Sequence, residues 1–160
     1  MMRNKSLDLA TKCIEALKAV FGDQTDVLEG FRSRAREAMA QLYYSGLPYA
    51  VTYMTAKASK ERARGRGWVS GSVLMEQALR EADLKALFEK WKSEGVVSDT
   101  AYELYGACIM RALRELANLD VTDFLTLLNK LNSPETQAVA GAAVSEFTEW
   151  LKRLAEAAVP

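Results

Sequence analysis

The sequence of 160 residues has no histidine and few residues that break helices: three prolines and nine glycines. Without histidine the chain has no imidazole base, no histidine ligand for zinc and no Glu-x-x-His pair of the kind found in di-iron helical bundles. The two cysteines, Cys13 and Cys108, are too few for a disulfide framework and too distant for a CxxC motif. Both lie among apolar residues, so we predict buried free thiols.

We also find no membrane-directing segment in the sequence. The first residues reach Asp8 without an apolar run, so we predict no signal peptide and expect a cytoplasmic protein. The longest stretch without a charge, residues 38–56, approaches the ~20 residues of a membrane span. It contains four tyrosines, two threonines and a proline, so we reject a span.

What the sequence does contain is apolar residues spaced by three and four along nearly its whole length. With 49% hydrophobic and 26% charged residues, it has the composition of one compact domain, residues 1–160. No four-residue stretch alternates as a strand does. We therefore predict an all-α fold, a single-domain bundle of about six to seven helices with short connections.

Local signals predict where the first three helices begin and end. The first helix is closed by a left-handed Gly22, and the second begins with a capping box at Asp26–Glu29. Gly46–Pro48 ends the second helix and starts the third, because glycine suits a C-terminal cap and proline a first helical turn. We expect the third helix to run to about Lys60.

Residues 61–72, ERARGRGWVSGS, form the longest irregular segment, which is predicted to be a surface loop. After it, the apolar stripe changes phase at Asp83, so two short helices are predicted, the second ending at Gly95. Further helices are predicted to start at a Thr100–Glu103 capping box, at Asp120 and at Ser133–Pro134.

Charge is balanced overall, with 21 basic and 21 acidic residues, but it is unevenly distributed. Residues 32–66 carry a net +6 and the remainder therefore carries −6. Such a basic block favours contact with a polyanion, and the acidic remainder favours basic protein partners. We predict nucleic-acid contact by the eight basic residues of the block: Arg32, Arg34, Arg36, Lys57, Lys60, Arg62, Arg64 and Arg66.

The third predicted helix carries a cationic aromatic stripe. Tyr49, Tyr53, Lys57 and Lys60 fall within about 80° on a helical projection. Such a stripe suits a nucleic acid, because lysines neutralise phosphates and tyrosine faces accept bases or sugars. The alternative is that the tyrosines are buried against another helix and covered by the lysine stems.

The preceding helix places Arg32, Arg36 and Tyr43 on one face. If the turn at Gly46 folds the helices back on one another, Arg36 and Lys57 are each roughly 15 Å from it and the basic clusters meet. If the turn only kinks the chain, they separate to about 30 Å. In a closed hairpin we expect the side chains on the two faces to be exposed and to converge.

The loop adds arginines and Trp68 to these helices, which favours sequence-independent contact with RNA or a single strand. The alternative role for Trp68 is to pin the loop to the core. Gly65-x-Gly67-x-x-x-Gly71 has the wrong spacing for a dinucleotide site, and the turn at Gly46 is shorter than in a DNA-reading helix-turn-helix. Carboxylate pairs such as Asp120 and Asp123 have helix-start spacing, so we predict no metal, no cofactor and no catalysis.

Three segments resemble a known family: the opening RNKSLDLA, the stretch FRSRAREAMAQLYYSGLPYAVTYMTAK (Phe31 to Lys57) and the terminal FTEWLKRLAEA (Phe147 to Ala157). They are similar to the small helical subunit of Cmr-type (type III-B) CRISPR effector complexes. About a third of the chain carries the likeness strongly. The turn departs from the family, where an asparagine before the glycine is more usual than Ser45, and the Arg/Gly loop is not a family signature.

The resemblance implies a non-catalytic subunit of an RNA-guided antiviral complex. It implies guide and target RNA, the backbone and large subunits and further copies of the chain in short filaments as partners, with no membrane role. Two other classes remain open: a helical protein-interaction adapter that binds no nucleic acid, and a DNA-binding regulator. Tyrosine enrichment at interfaces makes the uncharged part of the hairpin the surface that the adapter would use.

Overall fold

A computed structural model describes residues 3–58, 60–61 and 67–160, without the side chains of residues 38–41, 43, 60 and 61. Within these ranges the fold is all-α, as predicted. Its eight helices are α1 (Lys5–Phe21), α2 (Thr25–Ser45), α3 (Leu47–Ala58), α4 (Gly71–Arg80), α5 (Leu84–Glu94), α6 (Tyr102–Glu115), α7 (Phe124–Leu131) and α8 (Pro134–Ala158).

A short antiparallel pair lies between α3 and α4. Strand β1 (Lys60–Glu61) pairs with β2 (Trp68–Val69), with Lys60 opposite Val69 and Glu61 opposite Trp68. The sequence predicts a helix to about Lys60 and irregular chain after it, whereas α3 ends at Ala58; two residues per strand are too few to show alternation. The pair closes the base of the segment 62–66, which lies outside the described residues.

Helix α6 is the centre of the molecule. Every residue from Glu103 to Leu113 is buried, and α6 packs against α1, α2, α3, α4, α5 and α8. Phe31 of α2 meets Tyr105 of α6 edge to face, with ring centroids 5.8 Å apart. Cys13 and Cys108 are buried free thiols, which confirms the prediction for both. One apolar core therefore connects all eight helices.

The first boundaries are partly as predicted. Gly46 has φ 82°, and α3 begins at the next residue, as the Gly-Leu-Pro pattern predicts. The left-handed assignment of Gly22 is wrong, because its φ is −58°. Glycine is required there because a Cβ would lie 2.5 Å from the Lys18 carbonyl oxygen. The Asp26–Glu29 capping box is also wrong, since the N-cap of α2 is Gln24, two residues before Asp26.

Later boundaries follow the side chains that reach free backbone groups. Asp83 caps α5 by accepting from the Lys85 N–H at 3.0 Å, and Gly95 ends that helix with φ 68°, both as predicted. Asp123 rather than Asp120 caps α7, because the Asp123 carboxylate accepts from the Thr126 N–H at 2.9 Å. Pro134 opens α8 as predicted.

The predicted capping box at Thr100 is wrong. Helix α6 begins after Ala101, which takes a left-handed conformation with φ 57°. Glu103 instead reaches back to accept from the Ser98 N–H at 2.7 Å, while the Thr100 hydroxyl shares a hydrogen bond with that of Ser98. These bonds fix the connection from α5, and with it the position of Tyr102 at the start of α6.

Candidate nucleic-acid interface

The turn at Gly46 brings α2 and α3 to the same end of α6. Arg34 of α2 lies about 18 Å along the helix before this turn, and Tyr53 of α3 about 10 Å after it. The Arg34 guanidinium nevertheless lies 4.5 Å from the centroid of the Tyr102 ring, and the Tyr53 ring lies 6.3 Å from that same ring. A chain that only kinked at Gly46 would hold them nearly 30 Å apart. The folded-back alternative is therefore the one observed.

Three aromatic rings form a row that we call the tyrosine ladder: Tyr49, Tyr53 and Tyr102. The rings of Tyr49 and Tyr53 lie on one face of α3 because four residues separate them. Their centroids are 6.3 Å apart and their planes differ by 26°, whereas Tyr53 meets Tyr102 edge to face at 68°. Tyr49 at the outer end is 57% exposed. The tyrosine ladder thus leads from the surface to the start of α6.

Two cations contact the tyrosine ladder in different ways. The Lys57 ammonium is exposed and lies 5.6 Å from the centroid of the Tyr53 ring. Arg34 stacks on Tyr102 with only 17% of its side chain exposed, and its Nη2 pairs with the Glu37 carboxylate at 3.2 Å. Its Nε is buried without a hydrogen-bond partner among the described residues. Lys57 is therefore an exposed cation beside the tyrosine ladder, whereas Arg34 is held in place.

Tyr102 carries no negative charge at neutral pH. Burial raises the pKa of Tyr102 above its usual value near 10, Arg34 opposes this rise, and the Tyr53 hydroxyl adds to it. The phenol of Tyr102 therefore stays protonated, and the ring can stack without repelling a phosphate.

The remaining cations of the basic block do not converge as expected. Arg32 is half-buried and donates to the Val159 carbonyl oxygen at 3.4 Å, so it faces α8 and not the stripe on α3. Arg36 is exposed. Arg34, and not Arg32, contacts the tyrosine ladder, because the Tyr102 ring of α6 lies between α2 and α3. The side chains of Tyr43 and Lys60, and all of Arg62, Arg64 and Arg66, lie outside the described residues.

Trp68 does not pin the loop to the core. It is 65% exposed, whereas its neighbour Val69 is 3% exposed and belongs to the apolar core. The alternating directions of side chains along β2 place the smaller residue inside. An exposed tryptophan therefore lies at one base of the arginine-bearing segment.

Sequence reasoning missed Tyr102 as a member of this surface. Its spacing with Tyr105 and Ile109 assigns it to the buried stripe of α6, and it is in fact half-buried. Its outward contacts depend on where α2 and α3 cross α6, which is tertiary information. The ion pair of Arg34 with Glu37 has the i,i+3 spacing of a helical ion pair, which is a signal that the sequence does offer.

A second cluster of cations, Arg111 and Arg114 of α6, is named here the arginine clamp. Arg111 donates to the carbonyl oxygens of Glu81 and Ala82 and pairs with Glu115 at 2.7 Å. Arg114 donates to the carbonyl oxygens of Leu79 and Arg80 at 2.6 and 3.3 Å. The Leu79 and Arg80 carbonyls belong to the last turn of α4 and those of Glu81 and Ala82 follow it, where carbonyls have no partner within the helix. The arginine clamp therefore joins two helices.

Beside the arginine clamp is a cleft of about 460 Å³ between α1, α5 and α6. Its charged lining is balanced in sign, so it does not select an anion. Three cations and three acids line it: Lys12, Lys85, Arg111, Glu15, Asp83 and Glu115.

No family model, curated protein or solved structure matches this chain. Among the residues that the structure describes, no three or more acidic or cysteine side chains gather as a metal-binding group. Within the same ranges, no helix combines the length and apolar character needed to cross a membrane.

Proposed function

We propose that this chain is a non-catalytic helical subunit of a type III-B (Cmr-type) RNA-guided antiviral complex and that it contacts RNA at the tyrosine ladder. The observation that carries the RNA contact is the joining of Tyr49, Tyr53 and Lys57 with Arg34 on one surface. Cations over and beside aromatic rings are the combination that proteins use for sequence-independent RNA contacts.

The proposed place in a type III-B complex rests on the sequence resemblance. The fold supports this proposal because it brings the main resembling segments together. Residues 31–57 supply most of α2 and all but the end of α3, while residues 147–157 belong to α8. Helices α2 and α8 pack against each other, and Arg32 bonds to Val159 across that contact. The resembling segments thus form one continuous part of the molecule, although they are far apart in sequence.

The uneven charge supports two kinds of partner. RNA is drawn to the net +6 of residues 32–66, and the −6 of the remaining chain suits basic surfaces on protein subunits. We propose that the backbone and large subunits of the complex cover acidic surface, and that copies of this chain adjoin one another. The long range of the electrostatic attraction would steer both encounters.

A protein-interaction adapter without an RNA role is the second candidate. It is favoured by Tyr44, which is 89% exposed just before the Gly46 turn, and by the exposed Tyr49 just after it. Tyrosine is enriched in the energetically important centres of protein interfaces. The two candidates differ in whether the same turn region meets RNA or only protein.

Reconstitution tests the proposed function. The other subunits of a type III-B complex from the same genome would be assembled on guide RNA with and without this chain, and each assembly examined by native mass spectrometry. We expect the chain to join in one or more copies and to tighten the binding of target RNA. Failure to join would contradict the proposed complex, and joining without any effect on RNA would favour the adapter.

A further inference from the structure

We infer that the tyrosine ladder accepts an unpaired RNA base on Tyr49, with Lys57 as its phosphate contact and Arg34 as a positioning residue. This inference rests on the proposed RNA contact and goes further, because it names single-stranded RNA as the ligand and assigns different roles to the two cations.

The availability of Tyr49 is the first step. One side of its ring neighbours Tyr53 at 6.3 Å, yet 57% of the residue remains exposed. A base stacked on Tyr49 would continue the row of rings outward. Since Lys57 follows Tyr53 by one helical turn and is exposed, its ammonium can reach a phosphate of the same strand.

A stacking position of this kind selects unpaired RNA. In a duplex the bases are already stacked on one another, and a protein reaches mainly the phosphates and 2′-hydroxyls. In a single strand each base can turn out onto an aromatic ring, with a gain of about tenfold or more in affinity for a well-placed ring. We therefore expect Tyr49 to contribute to single-strand binding and not to duplex binding.

Arg34 lies at the other end of the tyrosine ladder, where its Nη2 is paired and its Nε is buried. Its guanidinium stacks on Tyr102 and bonds to Glu37, and little of its side chain is exposed. A phosphate would have to displace Glu37 to reach it. Arg34 therefore holds Tyr102, which in turn supports Tyr53, and its charge is not available to RNA.

The substrate class is tested by fluorescence anisotropy with labelled ten-nucleotide oligoadenylate and with the same strand paired to oligouridylate. We expect tighter binding of the single strand, and a loss of about tenfold for Tyr49→Leu that Tyr49→Phe restores. Tyr44→Leu is the matched control, because Tyr44 is exposed but outside the tyrosine ladder. Equal losses from Tyr44→Leu and Tyr49→Leu, or equal binding of duplex and single strand, would overturn the inference.

The roles of the cations are tested by the salt dependence of the single-strand affinity. Removing a phosphate contact lowers the slope of log K against log salt by about 0.7. We expect this change for Lys57→Met, whereas Arg34→Met should weaken binding at every salt concentration with the slope unchanged. Glu37→Gln tests the same assignment from the other side. If Arg34 were a phosphate contact, removing its ion pair would strengthen RNA binding and raise the salt slope. We expect no gain in affinity and an unchanged salt slope.

The outcomes separate this inference from the proposed function. If neither probe binds at low salt, both the RNA contact and the stacking position are refuted for the free protein. If both probes bind but Tyr49→Leu has no effect, the RNA contact stands and the stacking position is refuted. Melting temperatures of all variants, measured alongside, exclude loss of folding as the cause.

Discussion

The two ends of α6 place arginine side chains in different settings. At its first residue, Tyr102 is covered by Arg34, and the surface continues through Tyr53 to an exposed lysine. Toward its last turn, Arg111 is buried and its donors bond to backbone carbonyls and to Glu115. The difference shows that the partners of a cation, and not its presence in a basic stretch, decide whether its charge is exposed.

The largest expected effect is the loss of the arginine clamp. Arg111→Met leaves the carbonyl oxygens of Glu81 and Ala82 without their donor and Glu115 without its partner. We expect a loss of about 3 kcal/mol in the free energy of unfolding, measured by urea denaturation. Arg153→Met is the control, since its ion pairs are on the surface and contribute less than about 1 kcal/mol. Equal effects of the two variants would show that the clamp is not structural.

Charge reversal near the tyrosine ladder should have the opposite effects, with little loss of stability and a large loss of RNA affinity. The double variant Arg36→Glu, Lys57→Glu places acids on two exposed positions, so each change should cost less than about 0.5 kcal/mol of stability. The affinity for RNA, by filter binding at about 50 mM salt, should fall by tenfold or more, because attraction becomes repulsion. Unfolding of this variant would instead show that these side chains are packed.

A substitution at Tyr105, in the first turn of α6, should have a smaller effect on stability and of the opposite sign. Its hydroxyl is buried and has no hydrogen-bond partner among the described residues. Tyr105→Phe removes this unsatisfied group, so we expect the free energy of unfolding to rise by about 1 kcal/mol. A loss of stability above about 1 kcal/mol in urea denaturation would show that the hydroxyl has a partner in solution.

The same residue predicts alkaline behaviour. Burial raises the pKa of Tyr105 well above the usual tyrosine value near 10, so the folded state retains a proton that the unfolded state loses. The stabilisation that this raised pKa gives the folded state is fully present below about pH 10 and is lost as the pH rises further. Wild-type stability should therefore fall more steeply than that of Tyr105→Phe between about pH 9.5 and 11. Parallel curves would contradict the assignment.

The last prediction is of no effect at all, because we expect the protein to have no catalytic activity. The chain has no histidine, and in the described part of the chain no three or more acidic or cysteine side chains form a metal-binding group. Incubation of highly purified protein with labelled RNA and Mg²⁺ should leave the RNA intact. Cleavage that one carboxylate substitution abolished would contradict the non-catalytic role.

Prediction from sequence succeeds where the determining contact is local. Gly46, Asp83 and Gly95 act within their own turns, and each lies at the boundary that the sequence predicts. It fails where two nearby residues compete for one role, as Asp120 and Asp123 do, because the outcome depends on where Phe124 packs. Helix boundaries therefore shift by a few residues while the helix order holds.

The candidate site is predicted less completely. The stripe of Tyr49, Tyr53 and Lys57 follows from helical spacing, and the rings of its two tyrosines do adjoin. The choice of Arg34 over Arg32 does not follow, since both lie on α2 and only the packing of α6 and α8 decides which way each points. The arginine clamp likewise does not follow from the sequence, because its backbone acceptors are carbonyls 29 to 35 residues away.

The most direct test of the account compares one charge reversal at each end of α6. Lys57→Glu lies on the tyrosine ladder and Lys85→Glu lies beside the arginine clamp, and both change the net charge by −2. The measurement is the affinity for single-stranded RNA at about 50 and 200 mM salt. We predict a loss of at least fivefold for Lys57→Glu, a smaller salt slope, and little change for Lys85→Glu. Equal losses would mean that RNA responds only to overall charge, which would contradict a localised interface.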